Sequence, residues 1–308
     1  MNTSLEIGFV YVATGDSYYQ EAAASAASLR KHHPHHRVCL VTDRVRGAPF
    51  WDDLVVLQAP AFGFRDKLSM LACPYERFVF LDTDTTVFGP LDELFTLLEK
   101  MDVCGVQMFE GQDYIMPGIP HSFCEMNSGM LGFRRSPLVD AFFESWRRHY
   151  LAFVSQNQGE HYHYANVGDQ KSLRAALWET PVRIAGVGPE FNFIPFKMDF
   201  ASLPVRVLHT RATQNLEPLV DRLNKRLGRR AYVPLLDAVV SDNPPADELR
   251  RLLLGCVRQW LRAFSRYCAP QSLRNRLRTH PWIRTRFLVG RHLANDHHTN
   301  AKWARPRS

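Results

Sequence analysis

No stretch of this 308-residue sequence stays apolar for the length of a membrane-spanning helix. Cysteine is sparse. Cys39, Cys73, Cys104, Cys124, Cys256 and Cys268 are scattered, with no CxxC pair and no zinc spacing, which excludes a disulfide scaffold or a zinc module and leaves buried, reduced thiols. No glycine-rich, arginine-containing phosphate loop follows the first apolar run, where the chain reads Ala13-Thr14-Gly15-Asp16-Ser17-Tyr18-Tyr19. That argues against an enzyme that builds nucleotide-sugars, the main catalytic alternative weighed below. Internal repeats are absent. So is the alternation of aromatic and basic residues that marks nucleic-acid readers, and no nucleic-acid partner is expected. The first apolar run, residues 7–13, has no basic segment before it and is too short for a signal core, so a cytosolic protein is expected.

What is present is ordinary in bulk and uneven in charge. Hydrophobic residues make up 45% and charged residues 22%, as in a soluble globular protein. The net charge of +7 hides an asymmetry: residues 247–308 hold 14 Lys and Arg against 3 Asp and Glu, and residues 1–246 hold 24 against 28. A slightly acidic body therefore carries a strongly basic extension, which points to a second task for that extension.

Apolar β-rich runs at 7–13, 38–41 and 54–57, with an Ala-rich helical segment at 17–31 between the first two, predict a βαβ unit and a parallel sheet. Further strands are expected at 77–81, 103–107, 126–133, 182–187 and 205–209, and helices at 66–72, 91–100, 137–150 and 167–178. Phe142 and Trp146 fall at core spacing on the helix from 137. The division expected is a domain over 1–215, a connecting segment over 216–246, and a basic helical extension over 247–308. In that extension Leu249, Leu252, Leu253, Cys256, Trp260 and Phe264 share one face, and Arg258, Arg262 and Arg266 recur on another. Such a helix either packs on the body or lies on an anionic membrane.

The run Phe78-Val79-Phe80-Leu81 ends in Asp82-Thr83-Asp84. A buried strand that stops and delivers two carboxylates has put them at the carboxyl edge of the sheet, where ligands bind in α/β folds. Paired carboxylates there suit a divalent cation whose shell is completed by phosphate oxygens.

Four further segments keep company with this one in chain order: Lys67-Leu-Ser-Met-Leu, Asn127-Ser-Gly-Met-Leu-Gly-Phe133, Asp169-Gln170 and Val207-Leu-His209. Together they resemble the nucleotide-diphospho-sugar transferases of the GT-A fold, close to glycosyltransferase family 8, over roughly residues 7–211. The resemblance implies an α/β, Rossmann-like, mostly parallel sheet with helices on both faces. It implies a retaining transfer of a hexose from a UDP-sugar to a glycan, lipid-linked or surface-polysaccharide acceptor, assisted by Mn²⁺ or Mg²⁺. By the same resemblance Asp82, Asp84 and His209 hold the metal. Thr14 and Asp43 meet the nucleotide, and Lys67 and Arg65 lie by the donor phosphates or sugar. Asp82, Asn127, Ser128 and Gly129 face the donor, and Asp169 and Gln170 approach the reacting carbon. An inverting enzyme would instead need Asp169 or Glu125 as a base. One departure from the family is plain: His209 is followed by Thr-Arg-Ala-Thr rather than by a glycine and a diphosphate-binding lysine, which leaves Arg211 as the available cation. A nucleotidyltransferase and a non-catalytic sugar-nucleotide-binding module are the alternatives.

Two motifs read as surface. His32-His33-Pro34-His35-His36 follows a helix, is broken by proline and predicts a polar turn. His161-Tyr-His-Tyr164 predicts a loop ahead of Asp169.

Overall fold

The computed structural model describes residues 6–47, 49–108, 116–156, 169–196, 199–211, 216–225, 227–242 and 244–267. The His161–Tyr164 loop, Phe264's side chain and everything past residue 267 lie outside them. The chain divides into two compact units, one of residues 1–193 and 203–220 and the other of 194–202 and 221–308.

The first unit opens with β1 (Ile7–Ala13), α1 (Asp16–His32), β2 (Arg37–Thr42) and β3 (Asp53–Val56). There follow α2 (Phe64–Lys67), a 3-10 turn (Leu68–Ala72), β4 (Arg77–Leu81), β5 (Thr85–Val87), α3 (Asp92–Leu97), β6 (Val103–Gln107) and β7 (Met126–Arg134). Then, in chain order, come α4 (Pro137–Gln156), α5 (Asp169–Glu179), β8 (Ile184–Val187), β9 (Asp199–Ala201), which belongs to the second unit, β10 (Val207–His209) and α6 (Leu216–Asn224), which runs across the division at residue 220. Seven strands make one sheet in the order β3-β2-β1-β4-β7-β6-β8. Four pairings are parallel, and β7 alone runs against its neighbours β4 and β6. The expected mostly parallel α/β sheet is what forms.

Central strands β1, β2 and β4 are buried almost throughout, as covering on both faces demands. Edge strand β3 alternates instead. One face packs Phe78, Phe80 and Phe133 against Phe142, Trp146 and Leu173 of α4 and α5. The other packs Phe9, Tyr11 and Leu81 against Ala22, Ala26 and Leu29 of α1 and Leu94 and Phe95 of α3. Helix α1 starts at Gly15, whose φ of 87° lies where a side chain is strained. Ser136 Oγ accepts the Val139 N–H at 3.2 Å and caps α4, which begins on Pro137.

A buried hydroxyl chain fixes the turn after β4. Tyr11 Oη and Ser25 Oγ are 2.9 Å apart, Ser25 Oγ and Thr85 Oγ1 another 2.9 Å, and Thr85 Oγ1 donates to the Asp82 carbonyl at 2.7 Å. The short strand β5 then pairs antiparallel with β10, placing His209 opposite Thr85.

In the second unit β9, β11 (Arg230–Val233) and β12 (Ala238–Ser241) form an antiparallel sheet. Residues 216–246, read above as a connection, carry these last two strands and α6. Helix α7 (Ala246–Tyr267) follows, and Arg222 pairs with buried Glu248 and with Asp237. Cys39, Cys73 and Cys104 are buried free thiols as expected, but Cys256 on α7 is exposed.

Candidate active site

Beyond the carboxyl end of β4, a loop of only three residues, 82–84, joins two strands. The Asp82 N–H donates to the Gly129 carbonyl at 2.8 Å and the Thr210 N–H to the Asp84 carbonyl at 2.9 Å, so β7 and the end of β10 grip the turn from either side. His209 therefore meets both carboxylates: its Nε2 lies 3.1 Å from Asp84 Oδ1 and 3.9 Å from Asp82 Oδ2. Arg211 Nε reaches the other Asp84 oxygen at 3.2 Å, and its guanidinium lies 5.5 Å from the Tyr18 ring.

Lys67 is buried. Its Nζ sits 3.0 Å from Asp82 Oδ2, 2.9 Å from Asp169 Oδ2 and 3.2 Å from Ser128 Oγ. The sequence reading set it by the donor's phosphates or sugar; the fold shows it between the Asp82 and Asp169 carboxylates. Asp169 stands at the start of α5, held there by Trp146, whose ring N–H donates to the Asp169 carbonyl at 3.2 Å. Asn127 Oδ1 accepts the Gly129 N–H at 2.8 Å and Asn192 Nδ2 at 2.6 Å. Asn127 Nδ2 approaches Gln170 Oε1 at 3.5 Å, and Gln170 Nε2 donates to buried Glu125.

Gly129 serves the histidine directly: a Cβ there would come within 2.3 Å of His209 Cε1 and 2.5 Å of Nδ1. The sequence reading set Gly129 against the donor sugar; the fold sets it also against the imidazole.

Charge in the site is divided sharply. Burial raises the Asp82 carboxyl, Asp84 adds to this, and Lys67 and His209 oppose it. Burial also works against the Asp84 carboxylate, but His209 and Arg211 outweigh it and hold Asp84 well below the usual range. Burial alone would depress His209 and Lys67; the carboxylates facing each raise both instead. Asp82, Asp84 and His209 offer three donor atoms within 4.8 Å of one another. Two carboxylate oxygens and one imidazole nitrogen at this spacing could hold a divalent cation. Buried His209 Nδ1 has no hydrogen-bond partner among the described residues, so the ring is held by what its Nε2 faces.

Thr14 and Asp43, expected from the sequence to meet the nucleotide, lie at the ends of β1 and β2. Thr14 Oγ1 donates to buried Asp66 at 2.9 Å, so its hydroxyl closes a loop rather than facing outward. Asp66 also accepts the Ala61 and Phe62 N–H groups, each at 2.7 Å. Asp43 accepts the Gly15 N–H at 2.9 Å and faces Arg46 at 3.0 Å. Arg65 is exposed. Two residues the sequence reading passed over join the site from α1: Tyr18 under Arg211, and Glu21, which accepts Thr83 Oγ1 at 2.9 Å. They lie on the first turns of the helix that follows β1, so the rule that ligands gather at the carboxyl edge could have found them.

A second group capable by position of metal binding, His33, His36 and Asp92, lies elsewhere in the same unit. His33 is 1% exposed, so the expected polar turn is buried at this residue. Its Nε2 accepts the Leu91 N–H at 2.8 Å, so Nδ1 carries the ring's proton and faces Asp92 at 3.8 Å. His33 is thus committed to the Leu91 backbone on one nitrogen, and as it stands the group bolts the end of α1 to the start of α3.

No family model matches the chain, and no curated protein matches it. Among solved structures the chain is similar to the glycosyltransferase GlyE of Streptococcus pneumoniae TIGR4, at 16% identity and TM-score 0.47 over 68% of this chain and 56% of that one. It is also similar to the galactosyltransferase LgtC, solved with donor and acceptor sugar analogues, at 15% identity and TM-score 0.49 over 80% of this chain and 100% of that one. A third is the bifunctional glycosyltransferase WbbM, at 16% identity and TM-score 0.44 over 63% of this chain and 41% of that one. The chain thus spans about half the length of the first and less of the third.

Proposed function

We propose that the first unit is a metal-dependent glycosyltransferase, transferring a hexose from a UDP-sugar to a glycan or glycolipid acceptor with retention at the anomeric carbon. The observation that carries this is the convergence of Asp82, Asp84 and His209 from β4, β5 and β10 at the carboxyl edge of the sheet, with Lys67, Asp169, Asn127 and Gln170 beside them. Asp82, Asp84 and His209 would hold the cation, which supplies positive charge to the departing diphosphate. Arg211, already at Asp84, adds a second positive group on that side, in place of the lysine that the family resemblance calls for. Retention is favoured by how the carboxylates are used. Asp169 is ion-paired to Lys67 and Glu125 accepts from Gln170, so both groups an inverting enzyme could use as a base are engaged.

Calorimetric titration with UDP-, GDP- and ADP-sugars, with and without Mn²⁺, tests the reading. One UDP-sugar should bind only with metal, and Asp84→Asn should abolish that binding. Binding that ignores both metal and Asp84 would remove the basis of the proposal.

Helix α7 supports a second proposal. Leu249, Leu253, Val257 and Trp260, spaced four, four and three apart, form an exposed apolar stripe, with exposed Arg250 and Arg251 nearby. No described helix is long and apolar enough to cross a membrane. The stripe and the basic surplus fit an anionic lipid surface on which α7 lies flat.

A further inference from the structure

Gln170 lies between two partners of opposite character. On one side Asn127 Nδ2 faces Gln170 Oε1 at 3.5 Å. On the other, Gln170 Nε2 donates to Glu125, a carboxylate only 3% exposed. The two ends of a glutamine amide have nearly the same shape, so packing cannot tell them apart. Hydrogen bonding can. A carboxylate has nothing to donate, so the NH₂ end must face Glu125 and the carbonyl end must face Asn127.

Direction matters because of where Asn127 sits. Asn127 Oδ1 accepts the Gly129 N–H, and Gly129 is the residue against which the His209 imidazole packs. Hydrogen bonds therefore run from the Asp82 N–H through the Gly129 backbone and Asn127 to the Gln170 carbonyl, while the Gln170 NH₂ is turned to Glu125. Burying a carboxylate is costly unless it is hydrogen-bonded. Glu125 precedes β7, where an apolar residue would serve the strand at least as well, so its presence asks for a reason in the site.

We infer that Glu125 is a positioning residue that fixes the Gln170 amide with its carbonyl oxygen toward the reacting carbon of the donor sugar. That oxygen carries partial negative charge and stabilises the positive charge that develops as the bond to diphosphate breaks. Glu125 itself moves no proton and forms no bond. This inference rests on the glycosyltransferase reading above.

The test follows slow release of UDP to water from UDP-glucose and UDP-galactose with Mn²⁺, in Glu125→Gln, Gln170→Ala and the double variant. Glutamine at 125 can both donate and accept, so the Gln170 amide loses its fixed direction. Glu125→Gln should lower kcat by about tenfold or more with donor KM changed less than about twofold, the pattern of an interaction made in the transition state. In the Gln170→Ala background Glu125→Gln should cost nothing further. A merely structural Glu125 would act equally in both backgrounds and lower the unfolding midpoint in both; that result, or an unchanged kcat, overturns the inference. Failure of the unmodified protein to bind either donor with Mn²⁺ overturns this inference and the glycosyltransferase reading together. Intact binding and release with an indifferent Glu125→Gln overturns this inference alone.

Discussion

A single methyl group at position 129 would place a carbon 2.3 Å from His209 Cε1. Neither side can yield freely, because Gly129 also holds the Asp82 N–H through its carbonyl. Gly129→Ala should therefore push the imidazole off the carboxylates and weaken Mn²⁺-dependent donor binding by about 10- to 100-fold, the range seen when groups that orient metal ligands are changed. Calorimetry checks this, and an unchanged donor affinity would mean that the imidazole is not needed where it stands. Much of the site was legible in the residues themselves. Asp82 and Asp84 announced themselves because an apolar strand stops at them, and His209 because it ends another. Lys67 was named through the family resemblance, but its burial was not legible: a lysine in a short polar helix reads as exposed, and only the arrival of Asp169 from residues far along the chain makes its burial favourable. Glu21 and Tyr18 were hidden for a similar reason: on an Ala-rich helix nothing local marks the face that will meet the turn at residues 82–84 and Arg211. The closeness of Gly129 to the His209 ring was not legible, because that ring comes from a strand that pairs only in the folded chain.

Elements are held in register by small buried polar contacts that composition does not reveal. The Tyr11, Ser25 and Thr85 hydroxyls tie β1, α1 and β5 together, and Ser28 Oγ accepts the Val87 N–H at 2.9 Å. The β-runs were found from their apolar character, but that character does not encode direction, so the reversal of β7 came from the fold. Three-residue strands such as β5 and β9 are too short to show a period. His33 is another such contact, bolting the end of α1 to the start of α3. Burial pushes its imidazole down to about 4 from 6.5, with His36 and His32 adding and Asp92 opposing. In the unfolded chain His33 takes up a proton near its ordinary value, whereas in the folded chain it resists until about 4. Its contribution is therefore complete above about pH 6.5 and is lost as pH falls toward 4, with a ceiling of roughly 3 kcal/mol. Unfolding midpoints measured between pH 7.5 and 4.5 should show a steeper loss for the native protein than for His33→Gln. Parallel curves would mean that the His33 proton has no part in stability.

At the scale of the molecule, residues 247–308 hold 14 basic against 3 acidic residues, a surplus larger than the net +7 of the whole chain, and the described part of that stretch, α7, turns an apolar stripe outward. The face that packs inward is a different one: Glu248 is buried and Gly255 lies so close to Leu236 that a Cβ would meet its carbonyl at 2.8 Å. Leu249, Leu253 and Trp260 were legible as one face, but whether that face is covered depends on which other side of the helix the β-sheet takes, and sequence periodicity is silent on that choice. Four exposed apolar side chains on one line would be a liability in water and are an asset at a lipid interface, where each basic residue near an anionic surface adds about 1 kcal/mol. The full chain should therefore sediment with vesicles of phosphatidylglycerol and phosphatidylcholine and much less with phosphatidylcholine alone. Raising ionic strength to about 0.5 M should weaken the binding, since screening then acts within a few ångströms. Leu253→Asp and Trp260→Asp, which place charge in the stripe without touching the site around Asp84, should each reduce the bound fraction at low salt while leaving UDP-sugar binding unchanged. Equal binding to neutral vesicles, or variants that sediment like the native chain, would show that α7 does not lie on lipid. Loss of donor binding in the same variants would show instead that the exposed stripe serves the transferase unit.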